Sequence, residues 1–153
     1  MAVLRGVDLR RTRGHQGQAL VEFALILPLL TALFLGSIDL TRAFYYYVVL
    51  QNATREAARV AIDFPSQYDD TYVCAAATRE AGSFVTLSCS GATPNVAITP
   101  AANSGASPPS RQSGRGTVTV TASTSFSPVT IFIQFWTGTS ITIKASTTML
   151  TYY

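Results

Sequence analysis

Histidine is nearly missing from this 153-residue chain: there is one, His15, and it lies in an arginine-rich N-terminal stretch. Without an imidazole in the body of the chain, neither a Ser-His-Asp nor a Cys-His pair can be built there. Cysteine is as scarce. Cys74 and Cys89 have no histidine beside them and do not match zinc spacing, so no metal site is expected. No glycine pattern that cradles phosphate occurs. Asp69 and Asp70 adjoin a helix start, where capping is the expected role of a carboxylate. These absences leave no catalytic residue, no cofactor and no small-molecule substrate to expect, and a small envelope enzyme becomes the least favoured class.

Charge is also sparse, at 12% of residues, although the pI is about 9.1. Arg5, Arg10, Arg11 and Arg13 against Asp8 give the first seventeen residues +3, the whole formal net charge. From Gln18 onward seven basic residues face seven acidic ones. The basicity belongs to the leader, so no face for nucleic acid is expected on the body.

What the chain does have is "GQALVEFALILPLLTALFLGSIDL". Ala19 to Ile38 is predominantly apolar, carries no charge except Glu22 and is long enough to cross a bilayer. Arginines before such a span hold that end in the cytoplasm, which places the C-terminal body across the membrane. In an oxidising compartment Cys74 and Cys89 can pair; two small buried thiols are the alternative. Pro28 should kink the helix without ending it. The run Tyr45 to Tyr47 suits the aromatic belt of a membrane interface. A carboxylate at the end of a span can snorkel to the headgroups, so Glu22 is tolerable. Tolerance explains neither why it is there nor why Gly17 precedes it.

Helical spacing continues past the span, with Tyr46, Leu50, Ala53, Ala57 and Val60 on one stripe. The expected helix covers about 45 residues, near 65 Å. Ala53, Ala57, Ala58 and Ala61 allow close approach of either the chain's own C-terminal domain or a neighbouring subunit. "PSQYDD" predicts a turn, with Asp69 or Asp70 capping a short helix that stops near Gly82. "FVTLSCS" and "NVAIT" predict strands, and residues 100–116 a flexible Pro/Gly/Ser loop. "TVTVTAS" and "SITIKASTTML" alternate as strands, with Val118, Val120 and Ala122, and Ile141, Ile143, Ala145 and Met149, on their apolar faces. "VTIFIQFW" between them is a more apolar piece. The fold class is α+β: a long N-terminal helix packed on a small domain with an antiparallel sheet. The expected divisions are a cytoplasmic basic leader at 1–17, the long helix at 18–62 and an extracytoplasmic domain at 63–153.

A basic leader ending in Gly17, followed by Gln18, by Glu22 and by an apolar run, resembles the processing signature of type IV prepilins. The resemblance implies cleavage after Gly17 by a prepilin peptidase, with the apolar segment kept on the mature protein. It also implies that the Glu22 carboxylate pairs with the new amine at residue 18 in a filament core. Gly17 to Ala61 further resembles the TadE-like domain of minor pseudopilins of the tight-adherence (Tad/Flp) pilus. The matching features are "GQALVEFAL", Pro28, "GSIDLTR", the aromatic run and "LQNATREAARVA". The partners implied are prepilin peptidase, other pilins and pseudopilins, the assembly platform and membrane lipid. The implied location is the cytoplasmic membrane or an extracellular pilus, and the implied role is pilus assembly in support of adhesion. The competing expectation is an uncleaved, single-pass anchored extracytoplasmic binding module, which needs neither Gly17 nor Glu22.

Overall fold

A computed structural model describes residues 13–63, 69–91, 94–102 and 115–152. Most of the leader, residues 64–68 of the expected turn and residues 103–114 of the expected loop lie outside the described residues. Helix α1 runs from Arg13 to Asp63, 51 residues, and passes through Pro28 without interruption. It is about 75 Å long at 1.5 Å per residue. Its start precedes the sequence expectation by five residues, so Gly17 has helix on both sides.

The two halves of α1 differ in what covers them. Side chains from Leu20 to Leu35 stand largely exposed, whereas Leu50, Ala53, Thr54, Ala57, Ala58 and Ala61 are buried. The expected stripe is present at Leu50, Ala53 and Ala57, while Tyr46 and Val60 pack at its margin. The alanines meet the chain's own domain, where they share one core with Val73, Ala77 and Ala81 of helix α2, Asp70–Ala81. Small side chains on both helices permit a close crossing, and an added methylene group there would overpack it.

Asp69 caps α2, accepting from the backbone N–H of Thr71 at 2.9 Å and of Tyr72 at 3.4 Å. Its carboxylate satisfies donors that have no partner within the helix. Asp70 reaches elsewhere, accepting from the Ala102 N–H at 3.1 Å and so holding the chain beyond β1. Gly82 ends α2 with φ +61°, a conformation that side-chain-bearing residues avoid.

Strands β1 (Val96–Thr99), β2 (Arg115–Phe126) and β3 (Ile141–Tyr152) form an antiparallel sheet in that order. β2 and β3 pair over their full twelve residues, from Arg115 opposite Tyr152 to Phe126 opposite Ile141. Val118, Val120, Ala122 and Ala145 are buried toward α1, with Ile143 and Met149 packed beside them. The opposite face carries hydroxyl pairs, Thr119 with Thr148 at 2.8 Å and Thr121 with Ser146 at 3.1 Å. This is the alternation expected of a sheet with one covered face. Burying side chains such as Leu50, Val118 and Val120 stabilises the domain by roughly 1.5 to 3 kcal/mol each.

One segment departs from expectation. "FVTLSCS" is not a strand: Gly82 to Gly91 is turn and irregular backbone. Its period-two pattern is real, since Val85 and Leu87 are buried and Thr86 is exposed. The backbone partners, however, come from one asparagine. Asn95 Oδ1 accepts from Ser88 N–H at 2.7 Å, Asn95 Nδ2 donates to Thr86 O at 2.8 Å, and Asn95 N–H donates to Ser88 O at 2.9 Å. A side-chain amide thus replaces the ladder that a neighbouring strand would supply. The more apolar piece "VTIFIQFW" folds as helix α3, Ile131–Thr137, between β2 and β3.

Candidate functional site: the uncovered helix and its buried aspartate

Gly17, Gln18 and Glu22 lie together at the exposed N-terminal part of α1. Gln18 Nε2 donates to Glu22 Oε1 at 3.1 Å, the i,i+4 neighbour relation of a helix surface. Around Gly17 a Cβ would meet no atom within 4 Å, so nothing in the fold requires a glycine there by packing. Apolar side chains follow without cover: Leu20, Val21, Phe23, Leu25, Ile26, Leu29, Leu30 and Leu33 are all exposed. Residues 17–62 make one helix long and apolar enough to cross a membrane. Pro28 sits inside this stretch, one turn before Thr31, whose hydroxyl donates to Leu27 O at 2.8 Å.

At the far end of the span lies Asp39, which in the sequence is legible only as a charge. It is 2% exposed. Its carboxylate accepts from Val129 N–H at 3.0 Å and Thr130 N–H at 2.8 Å, and it meets the Arg42 guanidinium at 3.3 Å. Thr130 and Val129 immediately precede α3, so α1 caps another helix through its own side chain. Thr130 itself makes no side-chain cap, and its Oγ1 is buried without a hydrogen-bond partner. The available signal in the sequence is an acid directly after the apolar run, too polar to be lipid-facing and too short to reach far. Nothing local identifies its partner ninety positions later.

Arg42 also lies over the Phe126 ring at 5.3 Å, and Tyr46 meets the same ring edge-on at 5.8 Å. Tyr45 stacks edge-on with Phe84 at 5.4 Å. Two of the three consecutive tyrosines therefore also join α1 to the domain, in addition to the interfacial position that the sequence suggests. Further out, the bidentate Arg59 guanidinium holds the Glu56 carboxyl below the usual carboxylate range, at N–O distances of 3.0 and 3.1 Å.

Cys74 of α2 and Cys89 form a disulfide, with their Cα atoms 6.0 Å apart. The bridge fixes the irregular segment after α2 to that helix. Among the described residues, no group of three or more His, Cys, Asp or Glu could hold a metal ion.

Taken together, the fold is that of an α+β protein whose long N-terminal helix is half lipid-like and half core. Residues 17–59 match the family described as TadE-like protein. The match spans 43 of the chain's 153 residues. By length and composition the N-terminal apolar helix fits a single-pass anchor. No curated protein and no solved structure matches the chain.

Proposed function

We propose that this protein is a minor pseudopilin that takes part in assembly of a Tad/Flp-type (type IVb) pilus and is cut after Gly17 by a prepilin peptidase. The observation that carries the reading is the start of the TadE-like match at Gly17, where the exposed Gln18 and Glu22 begin an uncovered apolar helix. The four leader arginines favour a cytoplasmic N-terminus and hence an outer C-terminal domain. Cleavage creates an amine at residue 18 one helical turn from Glu22. When apolar helices of several subunits pack, that amine of one subunit compensates the Glu22 carboxylate of another, and the penalty of leaving either charge unpaired in a low-dielectric core sets the register.

Gly17 suits the cut for a physical reason besides open access. A scissile peptide within a helix must unwind, and glycine lowers helix stability by about 1 kcal/mol relative to alanine. The folded domain at 70–152 makes the subunit larger than a plain helical pilin, which supports a minor role in assembly or priming, with adhesion as the consequence for the cell.

The test is the mature N-terminus, read by peptide mass spectrometry from cells with and without the prepilin peptidase. A chain beginning at Gln18 only when the peptidase is present supports the proposal. A chain retaining Met1 or Ala2 in both strains overturns it in favour of an uncleaved anchored module.

A further inference from the structure

The β2–β3 connection does something unusual for a loop of an aqueous domain. Helix α3 presents Ile131, Phe132, Phe135 and Trp136 to the outside, with Ile131 81%, Phe135 84% and Trp136 75% exposed. Val129 adds to the same apolar surface. From Ser127 to Ser140 the sequence carries no charged residue. An exposed patch of this kind marks a binding surface for protein or membrane.

Its position identifies the occupant. Val129, Thr130, Ile131 and Phe132 line a shallow groove shared with Leu27, Thr31 and Leu35 of α1. Ile133 points at Gly36, where its Cδ1 would stand 3.9 Å from an added Cβ. The α1 residues involved precede Ile38, the end of the apolar run, by roughly 3 to 17 Å along the axis at 1.5 Å per residue. A hydrocarbon leaflet is about 15 Å deep, half of a 30 Å core. The connection therefore does not stand above the apolar run; it lies beside its second half, continuous with the uncovered Leu and Phe face.

Backbone donors at both ends of the element and two of its polar side chains are satisfied within the protein, with Thr130 Oγ1 the buried exception. Asp39 takes the N–H groups of Val129 and Thr130 at the entry to α3, and Gly138 N–H closes onto Gln134 O at 2.9 Å at the exit. Gln134 Nε2 donates to Pro128 O at 2.6 Å, and Thr137 Oγ1 donates to Ile133 O at 2.9 Å. Non-helical backbone survives at membrane depth only when such groups are satisfied within the protein.

We infer that the β2–β3 connection is a second membrane-embedded element, with the aromatic face of α3 dissolved in the acyl chains of the leaflet nearest the C-terminal domain. This rests on reading α1 as a membrane span. Asp39 then works as the pin that holds α3 against α1 at the boundary, and the domain is fixed in height and tilt at two points in place of one.

Trp136 is the chain's only tryptophan, so its fluorescence reports this face alone. The full chain is reconstituted into phosphatidylcholine vesicles, with or without bromine on the acyl chains, and flotation is measured on the same samples. The expected result is flotation, loss of most Trp136 emission in brominated lipid, and little quenching by iodide in the surrounding water. Flotation with strong iodide quenching and no bromolipid effect overturns the inference and leaves the α1 span standing. Emission shielded from both quenchers and dependent on the protein-to-lipid ratio assigns the face to a second copy and also overturns it. Failure to float overturns the span and this inference with it.

Discussion

Asp39 and Thr130 are joined by a 2.8 Å hydrogen bond from the Thr130 backbone N–H to Asp39 Oδ2, across ninety-one positions of sequence. The same carboxylate takes the Val129 N–H, so one buried side chain of α1 closes the entry to α3. Asp39→Ala should leave the buried Thr130 N–H and the part-buried Val129 N–H without a partner and destabilise the docked connection by about 1 to 3 kcal/mol. Asp39→Asn, whose amide oxygen still accepts, should cost less. Hydrogen exchange at Val129 and Thr130 is the direct measurement: both amides should exchange faster in the alanine variant than in the asparagine one.

A second polar contact ties α1 to the sheet. Thr54, fully buried, lies 2.9 Å from the Thr147 hydroxyl and donates to Gln51 O at 3.1 Å. Either single change, Thr54→Val or Thr147→Val, should cost about 1 kcal/mol, because it removes one partner and leaves the other hydroxyl less well satisfied. The double change should cost clearly less than the sum of the two. A double-mutant cycle from denaturant unfolding measures the coupling, and simple additivity would rule out the pairing as a source of stability.

The Cys74–Cys89 bridge closes a loop with a sequence separation of 15. Loops of this size lose about 3 kcal/mol of unfolded-state entropy on crosslinking in the chain-entropy account. Replacing both cysteines by alanine should lower domain stability by about that amount while α1 still inserts into membranes. Thermal unfolding followed by circular dichroism, together with a gel mobility difference between reduced and unreduced native protein, checks both parts.

At the processing end the two residues should separate by phenotype. Gly17→Leu meets open space in the fold, so it should leave folding intact and yield an uncut, membrane-retained chain. Glu22→Ala should insert as well as the native chain or better, since a carboxylate near a span end carries a penalty, yet be depleted from sheared filaments. Recovery of Glu22→Ala in filaments at the native level would remove the charge-pairing role. Immunoblots of membrane and filament fractions provide both readouts.

Much of the architecture was legible because it depends on periodicities that survive in a linear reading. The 3.6-residue stripe through Leu50, Ala53 and Ala57 and the period-two runs around Val118 to Ala122 and Ile141 to Met149 predicted a helix packed on an antiparallel sheet, and the structure has one. Capping was equally local: Asp69 and Gly82 bound α2 as their chemistry suggests. Period failed at Phe84 to Ser90, where Val85 and Leu87 alternate as in a strand but Asn95 supplies the hydrogen bonds. An apolar alternation reports which side chains are buried; it does not report which donors and acceptors the backbone meets.

The apolar segment, the balanced charge of the body, the absence of catalytic histidine and the Gly17–Glu22 spacing were determined by the sequence alone, because each is a matter of composition or short-range order. Three things required the tertiary structure. It gave the alanine stripe to the chain's own α2 and sheet, it bonded Cys74 to Cys89, and it brought Val129 to Phe132 back beside Leu27 to Leu35. Each depends on a meeting of distant segments, and the Asp39 carboxylate shows why: a buried charge must find its donors wherever the fold delivers them.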